Sequence, residues 1–215
     1  MKKIAFIFIL FLTFSFFSQK SYTFLKPMPA GATAVKTVSE NWFGTYDHED
    51  FPIDFEFSSD GVVAVSTIFN TLSRETVRES SQYVVRNGYI FGVVPNDSLP
   101  CQLDGDTYVF GIRTRQELVG SGSSNRLMKV NESTYILNFF DQNSYTPCLI
   151  SFTGKNMQIR YFDYAMDTKI FNKIKIQQTT VSDAFQNILL DPTPEEWAKI
   201  PQDNYLGKAL VYKKL

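Results

Sequence analysis

The sequence predicts an all-β fold: one antiparallel meander closed into a barrel or bent into two layers, with a short helix near the C-terminus. Three observations predict it. Short β-branched and aromatic runs recur between turn signals, and aromatic residues make up 15% of the 215 positions. Only one stretch, at 191–197, carries a full set of helix-start signals.

The first eighteen residues read as a signal peptide. Lys2 and Lys3 form a positive start, and residues 4–17 are apolar except for Thr13 and Ser15. A run of this length suits an export signal and is shorter than the roughly 20 residues of a membrane-spanning helix. Phe16, three residues before a cut after Ser18, is large for a cleavage site, so an uncleaved membrane anchor is the alternative. The expected location is therefore the periplasm or the extracellular space. Residues 19–40, which include the Pro/Ala/Gly-rich KPMPAGATAVK, read as a leader, and residues 41–215 as a single β-rich domain.

Within that domain, residues 53–57 alternate, with Ile53, Phe55 and Phe57 on one face and Asp54 and Glu56 on the other. SSDG at 58–61 turns the chain into a second strand at 62–69. Asn87-Gly88 is the strongest hairpin signal, and Asp104-Gly105 is another. NES at 131–133, DQNS at 141–144 and TGKN at 153–156 mark three more reversals. Together these imply ten to twelve antiparallel strands. The helix starts at Thr193, a good N-cap, followed by Pro194 at the first helical position and Glu196 completing a capping box. Residues 185–190 and 209–215 read as closing strands, and 163–180 as a strand or a short helix around Phe171, Ile174 and Ile176.

Composition excludes several functions. With 21 basic against 22 acidic residues, the chain lacks the basic surface that nucleic acid requires. One histidine and two cysteines leave little for a zinc site, and no cofactor motif is present. His48 lies in DHED at 47–50, where a histidine base or a calcium site using Asp47, Glu49 and Asp50 competes with a solvated loop. Asp54 and Glu56 are a carboxylate pair, but their position opposite an apolar face points to water rather than a glycosidase cleft. No catalytic set assembles, so the expectation is a protein without enzymatic activity.

Binding residues are the better lead. Tyr108, Phe110 and Ile112 oppose Val109, and Tyr135, Leu137 and Phe139 oppose Ile136 and Phe140, so some strands are apolar on both faces. Either the sheet is covered twice or one side lines a cavity. Arg113 and Arg115, two apart on a strand, share a face on which they would hold a carboxylate or phosphate, and Arg74 and Arg78 repeat the idea on an earlier strand. An ordinary wet face with surface ion pairs is the competing reading. Cys101 and Cys148, an even count in an exported chain, predict a disulfide that would stabilise the fold by roughly 2–4 kcal/mol.

NWFGTY at 41–46 resembles the Trp/Gly/Tyr signature opening the first strand of lipocalin-like and fatty-acid-binding-like barrels. FLKPMP at 24–29, GTY at 44–46, LDGDTYVF at 103–110, NESTYILNFF at 131–140 and PTPEEW at 192–197 resemble an uncharacterised exported β-rich protein family of Bacteroidota, of flavobacterial type. Many members of that group are lipoproteins, whereas no cysteine follows the apolar leader here before Cys101. The resemblance implies export and a β-rich, lipocalin-like architecture, and no chemistry. The functional expectation is a monomeric binding protein for a small apolar or amphipathic ligand held by Trp42, Tyr46, Tyr108, Phe110, Arg113, Arg115 and Tyr135. A cell-envelope protein-interaction domain, using exposed aromatics and edge strands, is the alternative.

Overall fold

The computed structural model describes residues 19–162, 171, 174, 176–181, 185–200 and 206–215. Segment 1–18, expected to be a signal peptide, and most of 163–175 lie outside the described residues. The strands, in chain order, are β1 (Gln19–Phe24), β2 (Ala34–Val35), β3 (Gly44–His48), β4 (Phe51–Ser58), β5 (Gly61–Ser73), β6 (Val84–Arg86), β7 (Tyr89–Phe91) and β8 (Ser98–Asp104). They continue as β9 (Thr107–Val119), β10 (Arg126–Lys129), β11 (Thr134–Asp141), β12 (Ser144–Thr153), β13 (Asn156–Tyr161), β14 (Ile176–Val181), β15 (Phe185–Leu190) and β16 (Leu210–Lys214). Among the described residues two short α-helices, α1 (Arg74–Glu79) and α2 (Pro194–Ala198), and a 3-10 turn at Glu40–Trp42 join them.

The fold is a predominantly antiparallel β-sheet with one short helix near the C-terminus. The ladder runs β14-β15-β1-β12-β13-β16-β3-β4-β5-β9-β8-β7-β6, with β10, β11 and β2 branching from β12. It is not closed: β14 and β6 are the two ends of the path, and among the described residues no pairing joins them. This corrects the lipocalin-like barrel. Closure needs the first and last strands to pair, and here β1 lies inside the ladder, pairing in parallel with β15 and antiparallel with β12. Among the described residues the first strand, Gln19–Phe24, lies within the stretch expected to be a leader.

The chain divides into two compact units. The first comprises Met1–Val35, Ser124–Ile150 and Ile159–Ala209. Its core is aromatic: Phe24 meets Trp197 edge-on at 5.6 Å, Phe162 at 6.0 Å and Phe171 at 6.2 Å. Met28, Ile136, Ile188 and Leu190 complete the filling. Trp197 reaches this core because α2 starts where the sequence placed it. The Thr193 hydroxyl accepts from the Glu196 N–H at 3.2 Å, and the Glu196 carboxylate accepts from the Thr193 N–H at 2.8 Å. Asn138, fully buried on β11, clamps the Met28 backbone, accepting from its N–H at 2.7 Å and donating to its carbonyl at 2.8 Å.

The second unit comprises Lys36–Ser123, Ser151–Gln158 and Leu210–Leu215. Its core lies on the apolar face of β4, where Phe57 packs edge-on against Tyr46 at 5.6 Å and Phe152 at 5.3 Å. Trp42 stacks on Phe152 at 5.1 Å, and Phe55 meets Tyr212 at 5.3 Å. Past Ser66, where β4 ceases to pair, β5 continues with β9, β8, β7 and β6 as a five-stranded arm.

The predicted disulfide is absent: Cys101 and Cys148 are both free thiols. Cys101 sits on β8, which pairs with β7 and β9, and Cys148 is buried on β12, which pairs with β1, β11 and β13. The two cysteines lie on strands that do not adjoin, and a disulfide needs Cα atoms within about 7 Å of each other. Arg74 and Arg78 also differ from expectation. They lie on α1 rather than a strand, because the Ser73 hydroxyl accepts from the Thr76 N–H at 3.0 Å and caps a helix there.

Candidate functional site

The five-stranded arm carries the site. Residues paired across an antiparallel ladder share a face, as do residues two apart along a strand. Phe69 on β5 pairs with Gly111 on β9. Pro100 is level with Gly111, since its neighbour Cys101 pairs with Phe110. Pro100 then pairs with Tyr89 on β7, and Tyr89 with Arg86 on β6. One row therefore crosses all five strands: Phe69, Gly111, Pro100, Tyr89, Arg86. Phe91 and Val84 lie opposite each other on the same face, one step along.

This face is uncovered. Phe69 is 69% exposed, Tyr89 44% and Phe91 40%. On the opposite face Ile90 and Phe110 are buried, Ile68 and Leu103 are 52% and 50% exposed, and Val77 of α1 lines an open depression with Val85 and Tyr108. Second in the row, Gly111 has no side chain to stand between Phe69 and Pro100. The result is a depression of about 500 Å³ with Phe69, Pro100, Gln102 and Val109 around it. A Cβ at Gly111 would come within 2.6 Å of the Thr67 methyl and 3.7 Å of the Phe69 ring. Glycine in the middle of a strand allows this close approach.

The same face continues into a charged lattice. Arg115 donates from both terminal nitrogens to Glu56, at 2.9 and 2.6 Å, and Arg113 reaches Asp54 at 3.5 Å. The hydrogen bond to Glu56, helped by its charge, raises the Arg115 pKa further above an already high value. These arginines are thus engaged by the carboxylates expected to face water. On α1, Arg78 lies within 3.5 Å of Glu79 and 4.0 Å of Glu75.

The residues expected to line a cavity do not come together. Trp42 and Tyr46 gather at Phe152 in the second unit's core, where burial raises the Tyr46 pKa. Tyr108 and Phe110 lie on one face of the arm, Arg113 and Arg115 on the other. Tyr135 is buried in the first unit, its hydroxyl donating to the Glu132 carbonyl at 3.3 Å. His48 accepts from the Asp50 N–H at 3.1 Å through Nδ1, and its ring packs on Tyr212 at 5.1 Å. Among the described residues no three His, Cys, Asp or Glu side chains cluster as metal ligands, and no helix is long and apolar enough to cross a membrane.

Reading the sequence for ligand residues missed Phe69, Tyr89, Phe91 and Pro100. Tyr89 and Phe91, two apart after Asn87-Gly88, were visible as a one-sided aromatic pair on a short hairpin. Gly111, in the middle of a strand facing an aromatic, was the second signal.

No family model, curated protein or solved structure matches this chain.

Proposed function

We propose that the protein is an exported, non-enzymatic interaction domain of the cell envelope that binds an extended segment of a partner protein on the uncovered face of its five-stranded arm. The observation that carries this reading is the cross-strand row Phe69, Gly111, Pro100, Tyr89, Arg86, with aromatic rings exposed on either side of a glycine gap. Exposed aromatic and apolar side chains grouped on one face mark interaction sites more than scattered ones do. Tyr and Arg supply much of the binding energy where partners meet. The gap above Gly111 accepts one apolar side chain of the partner, while Arg86, Gln102 and Thr71 form a polar rim.

A photo-crosslinking residue placed at Tyr89 in the native cell tests the reading, with Lys155, exposed on the β12–β13 turn, as the control position. The expected result is a discrete, protease-sensitive adduct from position 89 that Phe91→Ser removes. Equal labelling from both positions overturns the reading. A protease-resistant adduct replaces the protein partner by a glycan.

A further inference from the structure

Another depression, of about 660 Å³, opens on the other side of the arm, away from the row through Phe69 and Tyr89. One wall is α1, and the floor is the side of the sheet that carries Val85 and Tyr108. Its size is within the range of pockets that hold small molecules. Arg74, Glu75, Val77 and Arg78 line it from α1, where residues three and four apart are neighbours. Asp106 lines it from the turn between β8 and β9, tied to α1 because the Arg74 N–H donates to its carbonyl at 2.8 Å. The charges at this site are only half satisfied. Arg78 has Glu75 and Glu79 as partners. Among the described residues, neither the Arg74 guanidinium nor the Asp106 carboxylate forms an ion pair or a hydrogen bond. Two residues joined through their backbones thus bring opposite charges to one depression without pairing them. The hydroxyl of the half-buried Tyr108 likewise makes no hydrogen bond among the described residues. Val77 and Val85, also half-buried, add an apolar surface beside it.

We propose that this depression binds a short peptide with free ends, a dipeptide or tripeptide that carries an apolar side chain. A molecule with one carboxylate and one ammonium group complements the two unpaired charges. Its carboxylate takes the Arg74 guanidinium, whose parallel N–H donors match a carboxylate's two oxygens. Its ammonium group takes the Asp106 carboxylate. The amide between them gives the Tyr108 hydroxyl a partner, and the apolar side chain covers Val77 and Val85. Ligands with a single charge fit less well. A plain anion would meet the carboxylates of Glu75 and Asp106 beside the arginines, and a plain cation would meet Arg74 and Arg78. The floor holds apolar contact for one side chain, bordered on several sides by charge, which suits a peptide better than acyl chains. The site lies on the opposite face from the row Phe69, Gly111, Pro100, so it stands independently of the partner proposed there.

Titration of the full chain with the dipeptides Gly-Val, Ala-Leu and Ala-Phe, each to about 10 mM and followed by amide NMR, tests the site. The expected result is a saturable shift of the Val77, Val85 and Tyr108 amides with at least one of them, with a dissociation constant of roughly 1 mM or below. For that dipeptide, N-acetylation or C-terminal amidation, each of which removes one charge, should weaken binding about tenfold. This comparison uses the unaltered protein and so does not depend on how any variant folds. Arg74→Gln should also weaken the free dipeptide about tenfold while leaving the C-terminal amide unaffected, and Asp106→Asn should act in the same way with the N-acetyl form. Tyr89→Ser, on the opposite face, should change none of these values. The absence of a saturable shift from all three dipeptides overturns the proposal. Equal binding of free and blocked dipeptides overturns it too, by reducing the site to an apolar contact. Competition by dihexanoyl phosphatidylethanolamine at the dipeptide's own concentration overturns the peptide in favour of a lipid headgroup with the same pair of charges.

Discussion

Val65 and Arg115 face each other across β5 and β9, and the valine is only 2% exposed although it lies on the charged face of the sheet. Asp54 stands opposite Val65 on its other side. The Arg115–Glu56 and Arg113–Asp54 pairs each cross β5 from β9 to β4. Their aliphatic stems roof the valine while the charged ends stay in water.

Val65→Ala should therefore behave as a core truncation and lower unfolding stability by about 2 kcal/mol, measured by urea denaturation. Arg115→Ala should also lower the midpoint, and added salt should not reproduce its effect, because lost packing over Val65 contributes alongside the lost charge pair.

The Asn138 clamp predicts a larger cost. Asn138→Ala leaves the buried Met28 N–H and carbonyl without their partner. Each unsatisfied buried group costs roughly 1–3 kcal/mol, so a loss of about 3 kcal/mol is expected. Faster hydrogen exchange at the Met28 amide would locate the effect.

The two thiols should react differently. Burial pushes the Cys148 thiol far above its ordinary range and raises that of the half-buried Cys101 less. Alkylation of the native protein should modify Cys101 alone, faster as pH rises, with Cys148 following only in denaturant. The folded state holds Cys148 protonated, so its contribution to stability is complete below the ordinary thiol value and is lost as pH rises above it. The urea midpoint should fall above about pH 9, where the unfolded thiol ionises.

At α2, Thr193→Ala removes the N-cap and should cost about 1 kcal/mol. Glu195 is held below the usual carboxylate range, first by its own backbone N–H, then by the Thr193 hydroxyl and the charge of Lys199. A lowered carboxylate stabilises the folded state above the ordinary value and ceases to as pH falls through the folded one. Trp197 fluorescence should report loosening of α2 at acid pH, and at higher pH in Thr193→Ala.

Local chemistry was legible in the sequence. Asn87-Gly88 turns with φ of 51° and 79°, the left-handed pair that this dipeptide favours, and β6 and β7 flank it as expected. Thr193, Pro194 and Glu196 likewise built the cap they signal. Partnerships across long sequence distances were not legible. Nothing in QKSYTF at 19–24 names a parallel partner at 185–190, because extended pairing is set by the whole sheet. Alternation at 53–57 correctly separated Phe55 and Phe57 from Asp54 and Glu56, but it carried no sign that the acidic face would meet Arg113 and Arg115. Aromatic content could not distinguish filling from display: Phe57 and Phe69 are the same residue type, one buried and one exposed.

The parallel pairing of β1 with β15 has a kinetic consequence. Thr23 and Asn187, which share a hydrogen bond on these strands, are 164 residues apart in sequence. In the second unit, β16 near the C-terminus pairs with β3, which lies early in the chain. Neither unit can be completed until these distant strands are both available, and contacts of such long range slow folding. During synthesis the early strands must wait unpaired, with their aromatic faces open to chaperones and to one another.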